Sequence, residues 1–179
     1  MFLKKLYYKL KYVGYNQFYK ANEKKYPKLL MQAFENYMDY GFNLENPKTI
    51  NEIIQYLKLY DNTALKAELS DKLTIYKYAE KIWGKNKYSK EIYGVYDNID
   101  DIDFDALPQC YTITRNNSYR FQFNILDRTK LTQKRLSLLK NFFKSREKYN
   151  FAFSACLQLQ YKDVALKYLL EKYYPKSKE

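Results

Sequence analysis

The chain has 179 residues and a formal net charge of +12. Its 22 Tyr and 11 Phe exclude a disordered chain. Because it contains no histidine, histidine-based triads, general bases and metal ligands are excluded. Its two cysteines, Cys110 and Cys156, are too few for a cysteine metal site. They either pair or, as expected here, stay free thiols in a reducing compartment. The length predicts a single domain, residues 1–179.

Glycine is scarce: the chain has four, and none follows Gly94. Phosphate-cradling loops need glycines so that backbone N–H groups can approach phosphate oxygens closely. The sequence therefore excludes a Walker A loop and a dinucleotide-binding fingerprint.

The positive charge is concentrated in two segments, with +7 on residues 1–30 and +9 on residues 128–179, around an acidic segment, 31–105, of charge −5. Basic segments on both sides of an acidic one favour an anionic partner. The alternative is an AT-rich coding sequence, since Lys, Asn, Tyr and Ile are abundant together. Nucleic-acid binding is therefore not the expected function, and no binding motif supports it.

Residues 1–25 predict a basic amphipathic helix, which either lies on an anionic membrane surface or packs on the rest of the domain. Its lysines interrupt any signal-peptide core. The uncharged stretch 149–161 has thirteen residues, fewer than the roughly 20 that a helix needs to cross a bilayer. The helix has an apolar stripe formed by Phe2, Leu3, Leu6, Tyr7, Leu10 and Val13.

Residues 26–84 predict a helical region. The first helix has Pro27 in its first turn and Gly41 as its stop. The second follows a capping box formed by Thr49 and Glu52. The third runs over Asp71–Trp83. The apolar side chains predicted to face inward are Leu30, Phe34, Tyr37 and Met38 in the first helix, Ile50, Ile53, Ile54, Leu57 and Tyr60 in the second, and Ile75, Tyr76, Ala79 and Ile82 in the third.

Beyond Gly84 the pattern changes to short strands. Ile92–Tyr96 is one predicted strand, and Tyr111–Thr114 forms a hairpin with the alternating segment 119–125. The turn between them is Asn116-Asn117-Ser118. The dense acidic segment 97–105 is interpreted as a solvated turn with capping Asp side chains.

Two later segments complete the pattern. Residues 131–144 predict a helix through Leu136, Leu139 and Phe143. The segment Asp163–Tyr174 fits either a helix or a buried strand, and periodicity does not decide between them.

Seven short sequence segments between residues 40 and 174 resemble, in the same order, those of a known protein family. They are Asn46–Glu52, Gln55–Asp61, Leu69–Lys72, Gly94–Asp97, Ile102–Pro108, Gln160–Val164 and Glu171–Tyr173. In this order they resemble the TupA-like branch of the ATP-grasp superfamily. That family is associated with bacterial surface-polysaccharide and teichuronopeptide synthesis, and the superfamily ligates carboxylates to amines through an acyl phosphate formed from ATP.

The resemblance implies a nucleotide site. Lys72, Asn116, Glu171 and Tyr173 fall at positions that contact the nucleotide in the family, so ATP is the candidate cofactor. Spacing alone favours a different interpretation of Lys72, as a solvated lysine in the first turn of a helix.

The chain also departs from the family pattern. Thr114 stands where the family has a second lysine, and a hydroxyl supplies no positive charge to a phosphate. Residues 117–120 replace the histidine and the small loop residues of the family pattern. Arg115 and Arg120 are the candidates to supply the missing charge. The chain ends at Glu179, before the family's acidic Mg²⁺ ligands, which argues against Mg²⁺ as a cofactor. No catalytic or metal-binding residue is assigned, and whether the chain is an enzyme is left open.

Together these features predict an α+β fold. A helical N-terminal region precedes a partial ATP-grasp-like α/β half, residues 85–179, with a small antiparallel sheet. The predicted function is that of a degenerate or truncated ATP-grasp-like protein of surface-polysaccharide biosynthesis, not a competent ligase alone.

The alternative function is that of a non-enzymatic, membrane-peripheral interaction subunit of a glycan-assembly system. The expected location is the cytoplasm, with the inner face of the cytoplasmic membrane as an alternative. The expected partner is a second copy or a complementing protein, which would cover apolar surface left by the missing half of the fold. The candidate residues for that surface are Tyr168, Leu170, Tyr173 and Tyr174.

Overall fold

The computed structural model describes residues 23–85, 87–118, 121–148 and 158–175. The basic helix predicted for residues 1–25 therefore lies almost entirely outside the described residues. The chain divides into two compact units, whose described parts are residues 23–67 with 158–163, and residues 68–148 with 164–175. The single domain that the length indicates stays a prediction.

The first unit contains α1, Tyr26–Met38, and α2, Ile50–Tyr60, while α3, Ala64–Ser70, begins in this unit and ends in the second. Pro27 occupies the first turn of α1, as predicted. The helix ends earlier than predicted, because Asp39 adopts a left-handed conformation with φ of 57°. Asp39 thus takes the role predicted for Gly41, which Asp can do at modest cost.

The capping box at the start of α2 is confirmed. The Thr49 hydroxyl accepts a hydrogen bond from the Glu52 amide at 3.3 Å, and the Glu52 carboxylate accepts one from the Lys48 amide at 2.8 Å. The hydrogen bond from the Lys48 amide, supported by those from Thr49, lowers the pKa of Glu52.

The buried face of α2 is not the predicted one. Leu59 packs against a small core formed by Tyr26 and Leu30 of α1, and Glu52 is buried on the same side. At 100° per residue these two positions lie opposite the predicted apolar row. The exposed side chains of that row are Ile50, Ile53, Ile54, Leu57 and Tyr60. In α1, Leu30 and Phe34 are buried as predicted, whereas Tyr37 and Met38 are exposed.

The second unit is built around a four-stranded antiparallel sheet. Its strands are β1, Ile92–Tyr96, β2, Tyr111–Arg115, β3, Gln122–Ile125, and β4, Tyr168–Lys172. Their order across the sheet is β1-β4-β2-β3. The predicted β2–β3 hairpin is confirmed, and β4 resolves the ambiguous last segment as a strand. This architecture confirms the α+β class with its helices toward the N-terminus.

Two helices accompany the sheet. The helix α4, Lys72–Trp83, begins at Asp71, whose carboxylate accepts from the Leu73 amide at 2.8 Å, and ends at Gly84, as predicted. The helix α5 spans Gln133–Lys144 and buries Leu139 and Phe143. Along α4, Ala79 is buried as predicted, whereas Ile75 and Ile82 are exposed.

The main core lies on one face of this sheet. Phe143 of α5 meets Tyr168 of β4 edge to face, with ring centroids 5.5 Å apart. The predicted apolar surface at Tyr168 and Leu170 is wrong, because both side chains are fully buried in this core. Of the four residues predicted for that surface, Tyr174 is exposed and Tyr173 is half-buried. The core consists of Ile99, Ile102, Phe104, Leu107, Tyr111, Ile113, Leu139, Phe143, Tyr168 and Leu170.

The Asp side chains of the acidic segment 97–105 are exposed, as predicted. Its short helix, Ile99–Asp101, is capped by Asn98 and not by an Asp, and its apolar side chains are buried in the core. The Asp103 carboxylate accepts from the amides of Asp105 and Ala106 at 3.0 and 3.3 Å, and Asp100 forms ion pairs with two lysines of α5. Cys110 carries a free, exposed thiol. In the part of the chain that the structure describes, acidic and sulfur side chains form no group of three suited to a metal ion. Among the same residues, none of the helices has the length and apolarity to cross a bilayer.

Candidate functional site

On the two central strands of the sheet, β2 and β4, the face opposite the core is buried but carries mostly polar side chains. Successive side chains of a strand point to opposite faces, so Thr112 and Thr114 of β2 lie opposite the core side chains of the same strand. Glu171 of β4 pairs in register with Thr112 and lies on this polar face. All three residues are at most 2% exposed. A buried polar face requires internal hydrogen-bond partners. The Thr112 hydroxyl donates to the Asn124 side chain of β3 at 3.0 Å, while α4 and Lys90 supply the partners of Thr114 and Glu171.

Lys72, the first residue of α4, reaches the end of β2. Its amino group donates to the Thr114 hydroxyl at 2.9 Å, the Arg115 carbonyl at 2.7 Å and the Ser118 carbonyl at 2.5 Å. A lysine ammonium has three hydrogens, so these bonds use its full donor capacity. The Lys72 backbone amide also donates to the Asn116 carbonyl at 3.2 Å, which fixes the helix start against the turn after β2.

The environment of Lys72 lowers the pKa of its amino group. Removal from water lowers the pKa of Lys72 to about 8, against the opposing attraction of Glu171. The charges of Lys90 and Arg115 lower this pKa further, and Asp71 raises it. At neutral pH the amino group remains mostly protonated, as its three hydrogen bonds require.

Glu171 is also fully engaged within the protein. Its carboxylate forms an ion pair with Lys90 at 2.9 Å and accepts a hydrogen bond from the Tyr76 hydroxyl at 3.2 Å. Burial, together with the charge and hydrogen bond of Glu171, raises the pKa of Tyr76. The carboxylate thus has a hydroxyl donor from α4 and a cation from Lys90, which lies two residues before β1.

Asn116 holds the chain that leads into β4. Its side-chain amide donates to the Ala165 carbonyl at 2.9 Å and accepts from the Lys167 amide at 2.7 Å. Its backbone amide donates to the Lys167 carbonyl at 3.1 Å. Asn117 extends the contact by donating to the Val164 carbonyl at 3.1 Å. The Asn116 side chain therefore serves as a clamp between the β2–β3 turn and the entry to β4.

Arg115 lies on the other side of the strand from Lys72. Its guanidinium lies 5.0 Å from the Phe121 ring centroid and donates to the Arg146 carbonyl at 2.8 Å. Because it points away from Thr114, it does not supply the charge of the family's second lysine at that position. Arg120, the other candidate for that charge, lies outside the described residues.

Three of the four predicted nucleotide-contacting residues lie on or beside the polar face. Lys72 and Asn116 are in direct contact through the backbone, and Glu171 lies close enough to affect the Lys72 pKa. Tyr173 follows the end of β4 and is half-buried. The interpretation of Lys72 as a solvated first-turn lysine is wrong, because its amino group is bound to protein oxygens.

Sequence reasoning missed the roles of Tyr76 and Lys90. Tyr76 was expected to be an apolar core residue, and its hydroxyl instead binds Glu171. The alternate threonines of β2, at positions 112 and 114, were the available signal. They predict one polar and one apolar face for a strand whose residues are all buried.

A separate cavity of about 430 Å³ lies within the first unit. Its wall combines apolar side chains such as Leu59 and Leu159 with polar ones such as Asn62 and Lys162. It contains none of the four predicted nucleotide-contacting residues.

Comparison with known proteins identifies no relative. No family model, no curated protein and no solved structure matches this chain. The ATP-grasp resemblance therefore stays a prediction from the sequence.

Proposed function

We propose that this chain is an ATP-grasp-like protein of bacterial surface-polysaccharide biosynthesis that has no ligase activity of its own. In this proposal the lysine that would contact the nucleotide instead supports the fold. The single observation that carries the proposal is the saturation of Lys72, whose three hydrogens go to Thr114, Arg115 and Ser118.

A phosphate at Lys72 would have to compete with all three of these oxygens. Two of them are the carbonyl groups of Arg115 and Ser118, residues at most 2% exposed, and leaving such groups without a donor costs about 1–3 kcal/mol each. The buried carboxylate of Glu171 adds repulsion toward a polyanion on the same face. The chain also lacks the glycines that allow backbone N–H groups to approach a triphosphate. These features together support a scaffold role for the cluster.

Calorimetric titration with ATP, with and without Mg²⁺, tests the proposal alongside an assay for released phosphate. We expect no phosphate release, and no change in ATP affinity beyond about twofold in Lys72→Met, since a factor of two is well under 1 kcal/mol. Lys134→Met is the matched control, because Lys134 is an exposed lysine of α5. Micromolar ATP binding that weakens tenfold in Lys72→Met and stays unchanged in Lys134→Met would overturn the proposal. Circular dichroism checks that both variants fold.

A second candidate function is that of a non-enzymatic interaction subunit held at the inner face of the cytoplasmic membrane. The observation that favours it is the apolar row of α2, where Ile50 is 69% exposed and Ile54 and Leu57 are also exposed. Exposed apolar rows of this kind mark protein-binding surfaces.

Sedimentation velocity over a range of concentrations tests whether the partner is a second copy. Association that disappears in Leu57→Glu and persists in Tyr37→Glu would support a homodimer through α2. Tyr37 is the matched control because it is an exposed residue of α1, in the same unit. A monomer at every concentration would contradict the homodimer and leave a complementing protein as the partner.

A further inference from the structure

The end of α4 and the segment after it form a surface that combines aromatic and cationic side chains. Four apolar or aromatic residues are exposed here, with Trp83 at 51% and Tyr88 at 66%. Four lysines between residues 77 and 87 are exposed beside them. We call this surface the Trp83 patch. It consists of Tyr78, Ile82, Trp83 and Tyr88 together with Lys77, Lys81, Lys85 and Lys87.

The Trp83 patch has a defined geometry. Gly84 ends α4 with φ of 94° and ψ of 158°, a conformation that is essentially restricted to glycine. The chain then turns so that the rings of Trp83 and Tyr88 meet edge to face, with centroids 5.3 Å apart. The hydroxyl of Ser89 donates to the Glu80 carboxylate at 2.8 Å, which ties the segment back onto the helix. The aromatic pair is therefore held in place before any partner binds.

The charge of the patch is not neutralised locally. Between residues 77 and 88 the sequence has one acidic residue, Glu80, and its carboxylate is engaged by Ser89. Within the described ranges no carboxylate forms an ion pair with any of the four patch lysines. Four lysines and the one carboxylate thus give the patch a net charge of about +3 around a small aromatic surface.

We propose that the Trp83 patch docks on the surface of an anionic lipid bilayer. Tryptophan and tyrosine prefer the depth of lipid headgroups, where their apolar rings are buried and their polar atoms stay hydrated. Lysine stems extend along apolar surface and place their ammonium groups among anionic headgroups. The mixture of aromatic, aliphatic and lysine side chains matches this interface better than a purely acidic partner, which would leave Ile82 and Trp83 without apolar contact.

This surface is distinct from the N-terminal residues for which the sequence predicts membrane binding. It lies in the second unit, within the described residues, and it does not depend on the proposed function. Membrane binding through residues 1–22 and membrane binding through the Trp83 patch give different signals, because Trp83 is the one tryptophan of the 179-residue chain.

Intrinsic fluorescence of the full chain therefore reports on the patch itself. Vesicles of phosphatidylcholine, with or without phosphatidylglycerol, are titrated into the protein, and the phosphatidylglycerol vesicles are prepared with and without acyl-chain bromine as a quencher. We expect a blue shift of Trp83 emission, and quenching by brominated lipid, with phosphatidylglycerol vesicles and not with neutral ones. The binding is expected to weaken as salt screens the lysines.

Substitutions test the two components separately. The pair Lys81→Gln and Lys85→Gln is expected to lower the partition coefficient about 25-fold, at about fivefold for each lysine near an anionic surface. The pair Lys134→Gln and Lys148→Gln removes two exposed lysines elsewhere in the same unit and is the matched control. Tyr88→Ser is expected to reduce the blue shift while Lys-dependent binding persists.

Several results would overturn the proposal. The first is vesicle binding that neither shifts nor quenches Trp83 emission, which would mean that another segment of the chain contacts the membrane. Absence of binding, equal binding to neutral vesicles, or equal loss in the control pair would do the same. An equal blue shift with soluble polyglutamate would assign the patch to an acidic polypeptide instead of a membrane.

Discussion

The two central strands of the sheet, β2 and β4, are buried on both faces, but their two faces are held by different forces. One face packs Tyr168 and Leu170 against α5, and the other holds Glu171 and the Thr114 hydroxyl in a network with α4. Apolar packing is non-directional and scales with the volume and area buried. A buried polar network depends on each partner, since a lost partner leaves a charge or a hydrogen-bonding group unsatisfied. On the first face, the loss of unfolding free energy on substitution should therefore depend on the volume removed. On the second face, it should depend on which hydrogen-bond or ion-pair partner is lost and on the pH.

The largest effect is expected on the apolar face. Phe143→Ala removes a fully buried ring that contacts Tyr168, and we expect it to lower the free energy of unfolding by about 3–5 kcal/mol. Urea denaturation near neutral pH measures this loss. The matched control is Leu138→Ala in the same helix, where the side chain is exposed and a change within about 0.5 kcal/mol is expected. Equal losses in the two variants would mean that α5 does not cover the core as described.

The polar face should respond to pH through Lys72. The folded-state pKa is about 8, below the unfolded value of about 10.5, so the unfolded chain binds more protons between these values. Below pH 8, burial of the protonated Lys72 therefore lowers the free energy of unfolding by a constant amount. Above pH 8, the folded chain loses this proton before the unfolded chain does, and the free energy of unfolding rises. Relative to Lys72→Met, the wild-type chain should gain about 2 kcal/mol in unfolding free energy between pH 7 and 9.5.

Urea denaturation of both chains across this range measures the difference. Working below pH 10 keeps most tyrosines un-ionised in the unfolded state. The control is Lys77→Met, an exposed lysine of the same helix, whose difference from the wild type should not change with pH. A flat difference for Lys72→Met would contradict the burial of its amino group.

A smaller effect is expected at the clamp into β4. Asn116→Ala removes two side-chain hydrogen bonds, to the Ala165 carbonyl and from the Lys167 amide, and should cost about 1–3 kcal/mol. Hydrogen exchange of the Lys167 amide should speed up, because its acceptor is lost. Asn141→Ala on the exposed side of α5 is the control. Unchanged protection at Lys167 would show that another group restrains this segment.

The strands show how far the sequence could be interpreted. Alternation of aromatic and polar residues was enough to predict the β2–β3 hairpin, because one side of β3 is polar. The same argument did not decide β4, since Tyr168, Leu169, Leu170 and Glu171 are all buried and no alternation is visible. Only the pairing with β1 and β2 distinguishes this strand from a helix.

The helices show the opposite difficulty. The N-terminal caps of α2 and α4 were predicted, since Thr49 and Asp71 act through neighbours in the sequence. The helix α3 was not predicted, and α1 ends at Asp39 and not at the predicted Gly41. The buried faces of the helices were predicted less well, because the face that α2 buries is decided by packing with distant residues. The role of Lys72 follows the same rule, since its three acceptors lie 42 to 46 residues away along the chain.

The position of β4 has a consequence for how the chain folds. This strand comes last of the four in sequence, yet in the sheet it lies between β1 and β2. During synthesis the β2–β3 hairpin can pair once residue 125 has left the ribosome, whereas β1 has no strand to pair with until residue 172 follows. Closing such distant pairs is slow because the loop entropy is lost before the contacts form. Insertion of β4 is thus the step that completes the sheet, and it brings Glu171 to Tyr76 and Lys90 at the same moment.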